Sequence, residues 1–374
     1  MNRLNYWKKE VIAELKFFPQ NLNYLFTNKK KAIYVGCTAM GNIGDEAILF
    51  GIRKLLSKKI HFYPISYKKP SSGRFFRKSL IFKSPNYIVL GGGTIIRKGE
   101  NESYLRLMKQ MQKQWPNAEV LVLGPGVANP EFANEIGFPT DIKAWTSFLN
   151  LSKFVSVRGP YSKLELESWG VRNPVHIFHD PVISFTSEKF VFKKKEKKIG
   201  LNFANIGDRI YGGNKETIKS FALAIVEKLL EDNWQIYLYP TTKSDLNYML
   251  YDIGLSKFKS IKSYKNYKDL KASCDFLRSL DYLIGQRLHS IIFSSVVCTP
   301  FYALEYELKT KEFLKTIDMT SYSSRVDQLN VSQIYQELQY NYQNLDNIQN
   351  ELHLKMQKVK EEQLNCRDLL LTKL

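Results

Sequence analysis

Short apolar runs that stop at glycine or charge, each followed by residues at helical spacing, constrain this chain more than any other feature. Residues 32–35 (AIYV) end at Gly36, 87–90 (YIVL) at Gly91-Gly92-Gly93, and 120–123 (VLVL) at Gly124-Pro125-Gly126. Residues 154–157 (FVSV) run into Arg158-Gly159-Pro160, and 175–178 (VHIF) into His179-Asp180-Pro181. Ile48, Leu49, Ile52, Leu55 and Leu56 recur with the period of a helix. Buried strands alternating with helices specify a doubly wound parallel α/β sheet.

The same pattern starts again after a charged break at 193–198 (KKKEKK), which reads as a solvated linker. Residues 199–203 (IGLNF), 236–239 (IYLY), 282–284 (YLI) and 301–304 (FYAL) are the strands of this second half. A length of 374 residues exceeds one comfortable core. The expected organisation has four parts: an amphipathic helical extension over 1–30, a Rossmann-like domain over 31–192, a second over 199–325, and a helical tail over 331–374 that packs back on the body. Two such halves facing a cleft constitute a glycosyltransferase-B-like architecture. In the extension, Leu4, Trp7, Val11, Leu15 and Phe18 form one stripe. Packing on its own domain and peripheral contact with a membrane surface are both open to it.

Composition excludes more than it selects. No apolar run approaches the ~20 residues needed to span a bilayer, and residues 1–20 mix Lys and Glu with apolar residues, unlike a signal peptide. Cys37, Cys274, Cys298 and Cys366 are scattered, as expected of reduced thiols in a cytoplasmic protein. No His/Cys/Asp/Glu group has metal-ligand spacing, so no metal is expected. The net charge of +19 is spread along the chain without a nucleic-acid-binding signature, so no nucleic acid is expected. Anionic small substrates or an anionic membrane suit it equally.

Chemistry belongs at the carboxyl ends of the strands. There, Gly285-Gln286-Arg287-Leu288-His289-Ser290 puts a cation, an imidazole and a hydroxyl at a helix start, where the N–H groups and dipole favour an anion. Arg158 follows another strand as an anion clamp. Asn42-Ile43-Gly44-Asp45-Glu46 lies between the first strand and helix but lacks a P-loop lysine. Asp45 there is either the helix cap or a carboxylate that takes a proton from a sugar hydroxyl. Gly92, Gly93 and Gly126 line strand ends, and Asp180 reads as a loop cap.

Taken in order, Asn42-Ile-Gly-Asp45-Glu-Ala47, Gly91-Gly-Gly93, Gly124-Pro-Gly126, Val157-Arg158-Gly159, Asp180-Pro181, Gly285-Gln-Arg287-Leu-His289 and Tyr306-Glu-Leu-Lys309 resemble the polysaccharide pyruvyl transferase family. The match runs over roughly residues 31 to 320. It departs at 306–309, where the family often carries Tyr-Asp-Pro-Lys. The resemblance implies transfer of pyruvate from phosphoenolpyruvate to a sugar of a cell-surface polysaccharide or its precursor, as a cyclic ketal with release of phosphate. It implies no cofactor besides phosphoenolpyruvate as co-substrate, and an acceptor that is lipid-linked, nucleotide-linked or polymeric. On this reading Arg158, Arg287, His289, Ser290 and Lys309 bind the donor, and His289 protonates the enol. Asn42, Gly44, Asp45, Gly92, Gly93, Gly126 and Asp180 line the acceptor side, with Asp45 or Asp180 orienting or deprotonating the hydroxyls. The alternative is a nucleotide-sugar glycosyltransferase of the same fold, with Arg287 and Lys309 on a diphosphate.

Overall fold

The structure, a computed structural model, describes residues 18–38, 41–66, 76–77, 82–98, 104–137, 139–188, 192, 195–207 and 209–374. The first seventeen residues, and with them most of the N-terminal amphipathic stripe, lie outside the described residues, as do Lys193 and Lys194 of the charged break.

The chain divides into two compact units. Unit 1 comprises residues 1–40, 48–181 and 364–374; unit 2 comprises 41–47 and 182–363. The boundaries drawn from sequence gave 41–47 to the first domain, but these residues cluster with the second. The reason is physical: Ile43 N–H donates to the Thr241 carbonyl (3.3 Å), and Gly44 lies against the ring of His289.

Unit 1 contains a six-stranded parallel sheet built from β1 (Lys30–Gly36), β2 (Ile60–Ser66), β3 (Tyr87–Leu90), β5 (Glu119–Val122), β7 (Phe154–Val157) and β8 (Val175–Ile177). Their order is β2-β1-β3-β5-β7-β8. The chain does not simply turn at the glycine stops. After Gly91-Gly92, β4 (Gly93–Ile96) resumes and pairs in parallel with β6 (Pro125–Val127), which follows Gly124. Helix α1 (Ile43–Leu56), α2 (Tyr104–Gln114), α3 (Pro130–Glu135), α4 (Ile142–Asn150) and α5 (Pro160–Ser168) connect the strands. Apolar residues of β1, β3, β5 and β7 meet Leu105, Met108, Trp145 and Leu149 in one core.

Unit 2 repeats the design with β9 (Lys198–Asn202), β10 (Gln235–Leu238), β11 (Lys262–Ser263), β12 (Tyr282–Gly285), β13 (Phe301–Glu305) and β14 (Ser323–Arg325). All pair in parallel, in the order β11-β10-β9-β12-β13-β14. The chain builds outward from β9 on one side and then returns to its other side. The switch point therefore lies between β9 and β12, where open α/β sheets bind ligands. Helices α6 (Glu216–Glu231), α7 (Lys243–Asn247), α8 (Leu270–Ser279), α9 (Leu288–Val296) and α10 (Leu308–Thr316) complete the connections. The tail forms α11 (Val331–Gln343) and α12 (Leu345–Thr372). Ile334 and Leu338 of α11 enter the unit 2 core, and Asn341 donates to the Tyr282 hydroxyl (2.8 Å). The last residues of the chain belong to unit 1, where the Tyr87 hydroxyl donates to the Leu374 carbonyl (3.2 Å). No helix among the described residues is long and apolar enough to cross a membrane.

Candidate active site

The switch point of unit 2 is held by a polar staple. Asn202, the last residue of β9, is fully buried. Its Nδ2 donates to the Tyr239 carbonyl (2.8 Å), while its Oδ1 accepts from Arg287 N–H (2.8 Å). Its carbonyl accepts from Gln286 N–H (2.9 Å), and the Gln286 Oε1 accepts from Ala204 N–H (2.7 Å). The turn after β12 thus has the N–H groups of Gln286 and Arg287 satisfied by the carbonyl and the side chain of Asn202, which fixes the origin of the Arg287 side chain.

Arg287 is the N-cap residue of α9, in extended conformation (φ −67°, ψ 130°), and no side chain caps this helix. Its guanidinium grips Asp245: Nη2 lies 2.7 Å from Oδ1, and Nε lies 3.2 and 3.3 Å from Oδ1 and Oδ2. Asp245 is buried and takes a further hydrogen bond from the Thr241 hydroxyl to Oδ2 (2.9 Å). Burial pulls the Arg287 pKa down, but Asp245, then Tyr306 and Asp45, more than offset this and leave it raised. The cation is therefore aimed by a carboxylate that sequence reasoning missed. One local signal existed: Thr242-Lys-Ser-Asp245 is a capping-box pattern, and the Thr242 hydroxyl does accept from Asp245 N–H (3.0 Å).

His289 sits in the first turn of α9, half-buried, with Phe293 one turn on (ring centroids 6.0 Å apart, planes 39° apart). Its imidazole fills the space over Gly44, where an added Cβ would come within 2.2 Å of Nδ1. Gly44 is thus needed by the histidine ring. Asn42 caps α1 through Oδ1, accepting from Gly44 N–H (3.0 Å). Asp45 is therefore not the cap: it stands inside the first turn with Glu46. Burial raises its carboxyl pKa to about 6, although His289, Lys309 and Arg287 each pull it back down. A carboxyl in that range exchanges its proton near neutrality.

Lys309 opens α10, pairs with Glu307 and lies 4.6 Å over the ring of the buried Tyr306. Burial lowers its pKa, but Glu307 and Tyr306 outweigh that and hold the ammonium raised. No side chain caps α10 either. Two helix starts without a side-chain cap, at the ends of adjacent parallel strands, favour an anion.

Unit 2 therefore brings together Asn42, Gly44, Asp45, Arg287, His289 and Lys309. Ser290 is present but turned inward: its hydroxyl donates to the Arg287 carbonyl (2.6 Å) and the residue is fully buried. The short i−3 bond stabilises the turn, so this hydroxyl is committed to the backbone and not to a donor. The other expected residues belong to unit 1. Arg158 is buried, with Nη2 3.5 Å from the Thr94 hydroxyl, and its guanidinium covers Gly126, where a Cβ would meet Nη2 at 2.5 Å. Gly92 lies under Ile48, Gly93 begins β4 at φ +95°, and Asp180 is buried beside Pro181 after β8.

The fold is that of glycosyltransferase-B-like enzymes. A glycosyltransferase from Rickettsia africae superposes with a TM-score of 0.57 at 11% identity, covering 93% of this chain and 98% of that one. A UDP-GlcNAc 2-epimerase from Neisseria meningitidis, solved with UDP-GlcNAc, gives 0.56 at 11% identity over 92% and 99%. A putative UDP-N-acetylglucosamine 2-epimerase from Listeria monocytogenes gives 0.56 at 8% identity over 87% and 91%. No curated protein matches the sequence. The polysaccharide pyruvyl transferase profile matches residues 42–307, a span that contains Asp45, Arg158, Arg287 and His289. The chain belongs to the polysaccharide pyruvyl transferase family, and with it to the transferases that modify polysaccharides.

Proposed function

We propose that this protein transfers the enolpyruvyl group of phosphoenolpyruvate to two hydroxyls of a sugar in a cell-surface polysaccharide or its precursor, forming a pyruvate ketal. The observation that carries the reading is the unit 2 cluster: two cations and an imidazole at two helix starts without a side-chain cap, and, in the first turn of α1, a carboxyl whose pKa burial raises to about 6. Phosphoenolpyruvate carries a carboxylate and a phosphate close together, and Arg287 and Lys309 supply fixed positive charge for them.

The chemistry needs a proton on the methylene carbon, which leaves an oxocarbenium-like centre at C2. His289 donates that proton. The first sugar hydroxyl adds to C2 and gives up its proton, for which the Asp45 carboxylate is the acceptor. The C2–O bond to phosphate then breaks, the second hydroxyl closes the ketal, and its proton leaves with the phosphate. One proton is consumed at carbon and two are released from oxygen, so the balance is one proton carried by phosphate and one returned to the enzyme. No other co-reactant enters.

A nucleotide-sugar glycosyltransferase is the second reading, because the same uncapped helix starts and cations suit a diphosphate. Thermal shift separates the two: phosphoenolpyruvate should raise the melting temperature and UDP-sugars should not. The reverse pattern would reject pyruvyl transfer. Phosphate release from phosphoenolpyruvate across a panel of acceptor sugars identifies the acceptor, and His289→Ala should abolish release while keeping donor affinity within a few fold.

A further inference from the structure

The segment 18–26 of unit 1 is helical, and its two faces differ sharply. Asn21 and Tyr24 point inward: the Tyr63 hydroxyl donates to Asn21 Oδ1 (2.8 Å), and Tyr24 is fully buried, its ring stacked on Phe82 at 4.6 Å. On the other side Phe18, Leu22 and Phe26 follow one another at intervals of four and are 56%, 38% and 79% exposed. Three large apolar side chains left in water along one stripe mark a surface that another phase covers.

The same segment walls a cavity of about 260 Å³ lined by Gln20, Asn23, Lys29, Arg53, Ser57 and His61. Arg53, in the last turn of α1, is anchored by donating from Nη2 to the Phe62 carbonyl (3.3 Å), which aims the guanidinium. The Gln20 side-chain oxygen is buried and has no hydrogen-bond donor. Burial, and then Arg53, Lys29 and Lys31, push the His61 pKa down, so the charged groups acting on it are all cationic. A cavity this size with Lys29 and Arg53 in its wall fits a phosphate. Leu22 and Asn23 are consecutive, so the apolar stripe and the basic cavity open on neighbouring faces of one helix.

We propose that this edge of unit 1 docks on an anionic phospholipid surface, the cavity taking a headgroup phosphate while Phe18, Leu22 and Phe26 enter the acyl boundary. Neither half suffices for stable attachment: a single apolar or electrostatic signal gives marginal binding, and the pairing of the two gives retention. Positive charge near an anionic leaflet strengthens binding by about five-fold per Lys or Arg. The sequence ahead of the segment continues the spacing with Val11 and Leu15 and adds Lys8, Lys9 and Lys16. The inference is independent of the reaction at the unit 2 cluster.

The test is co-sedimentation of the full chain with vesicles of phosphatidylcholine alone and of phosphatidylcholine mixed with phosphatidylglycerol. Binding should require the anionic lipid and weaken with salt. It should fall on the order of ten-fold or more in the Phe18→Ser, Leu22→Ser, Phe26→Ser triple variant and about five-fold in Lys29→Gln. Both sets change exposed side chains, and an unchanged melting temperature shows that the fold is intact. A parallel NMR titration follows the His61 imidazole, whose pKa should rise on the anionic vesicles. Equal binding to neutral and anionic vesicles, or an unaffected triple variant, overturns the proposal. So does a His61 response to inorganic phosphate without any vesicle binding, which would assign the cavity to a soluble anion.

Discussion

Gly44→Ala isolates the packing of His289 from the chemistry proposed for it. A methyl group on residue 44 would stand 2.2 Å from His289 Nδ1, 2.3 Å from Cγ and 2.6 Å from Cβ. Carbon contacts settle at about 3.5–4.0 Å, so one side has to give by about 1 Å or more. Because the His289 Cβ is itself struck, turning the imidazole about its own axis does not relieve the clash. Either the ring leaves its rotamer or the first turn of α1 lifts away from α9. A displacement of about 1 Å at a reacting group costs about a hundred-fold in rate, which corresponds to about 2.7 kcal/mol of barrier.

Stability should respond far less. Overpacking costs about 1–3 kcal/mol, but residue 44 lies within α1, where replacing glycine returns up to about 1 kcal/mol of helix propensity. The expected result is a melting temperature within a few degrees of the parent, phosphate release from phosphoenolpyruvate reduced about a hundred-fold, and a displaced His289 imidazole resonance. Turnover within about three-fold of the parent with an unmoved resonance would refute the claim that this glycine seats the histidine.

Two other perturbations address the electrostatics. Asp245→Ala removes the carboxylate that aims Arg287 and leaves a largely buried guanidinium without it. Breaking such a pair costs about 3–5 kcal/mol when fully buried, and with 22% of the arginine side chain exposed about 2–3 kcal/mol is expected from a urea midpoint, with weaker donor affinity; an unchanged midpoint would show that the ion pair is idle. Asp45→Asn tests the raised carboxyl. With the folded pKa at about 6 and the ordinary value at 3.8, the folded state holds more protons than the unfolded chain between those pH values. Stability therefore falls as pH rises from about 4 to 6, by up to about 3 kcal/mol. Asparagine should abolish that slope and leave the variant the more stable protein above pH 6, and parallel melting curves of the two proteins across this range would contradict the assignment.

The strand–glycine–helix alternation made the two parallel sheets legible, because a buried parallel strand has to be apolar on both faces and has to stop abruptly. Arg287 and His289 were legible for the same reason: polar residues directly after such a stop have nowhere to go but the carboxyl edge of the sheet. What escaped was anything decided by a turn. Asp245 lies 42 residues before Arg287, and their pairing depends on how the chain leaves β10, which no local pattern encodes. Ser290 has the right chemistry at the right place, yet its hydroxyl bonds back three residues to Arg287. The helix begins at Ile43, two residues before Asp45, which is why Asn42 takes the capping role that Asp45 was a candidate for. The glycines of 91–93 and 124–126 read as strand ends, whereas Gly93 opens β4 and Gly126 lies inside β6, two strands that pair in parallel.

The charges of the unit 2 cluster carry one further consequence. Arg287 is matched by Asp245, and Lys309 by Glu307. Neither cation is in large excess over its carboxylate, so a donor bearing two or more negative charges meets a cluster close to neutral. Asp45 decides the remainder. Ionised, it opposes the donor; protonated, it withdraws one negative charge and can donate a hydrogen bond. Since its pKa is already raised to about 6 by burial, a bound anion raises it further, and donor binding must take up a proton over the pH range between the free and bound values. Phosphoenolpyruvate affinity should accordingly decline as pH rises above 6, by up to about ten-fold per pH unit until the bound-state pKa is passed. Calorimetry in two buffers of different ionisation enthalpy measures the uptake directly. Proton uptake that persists in Asp45→Asn would assign it to another group and leave Asp45 ionised in the donor complex.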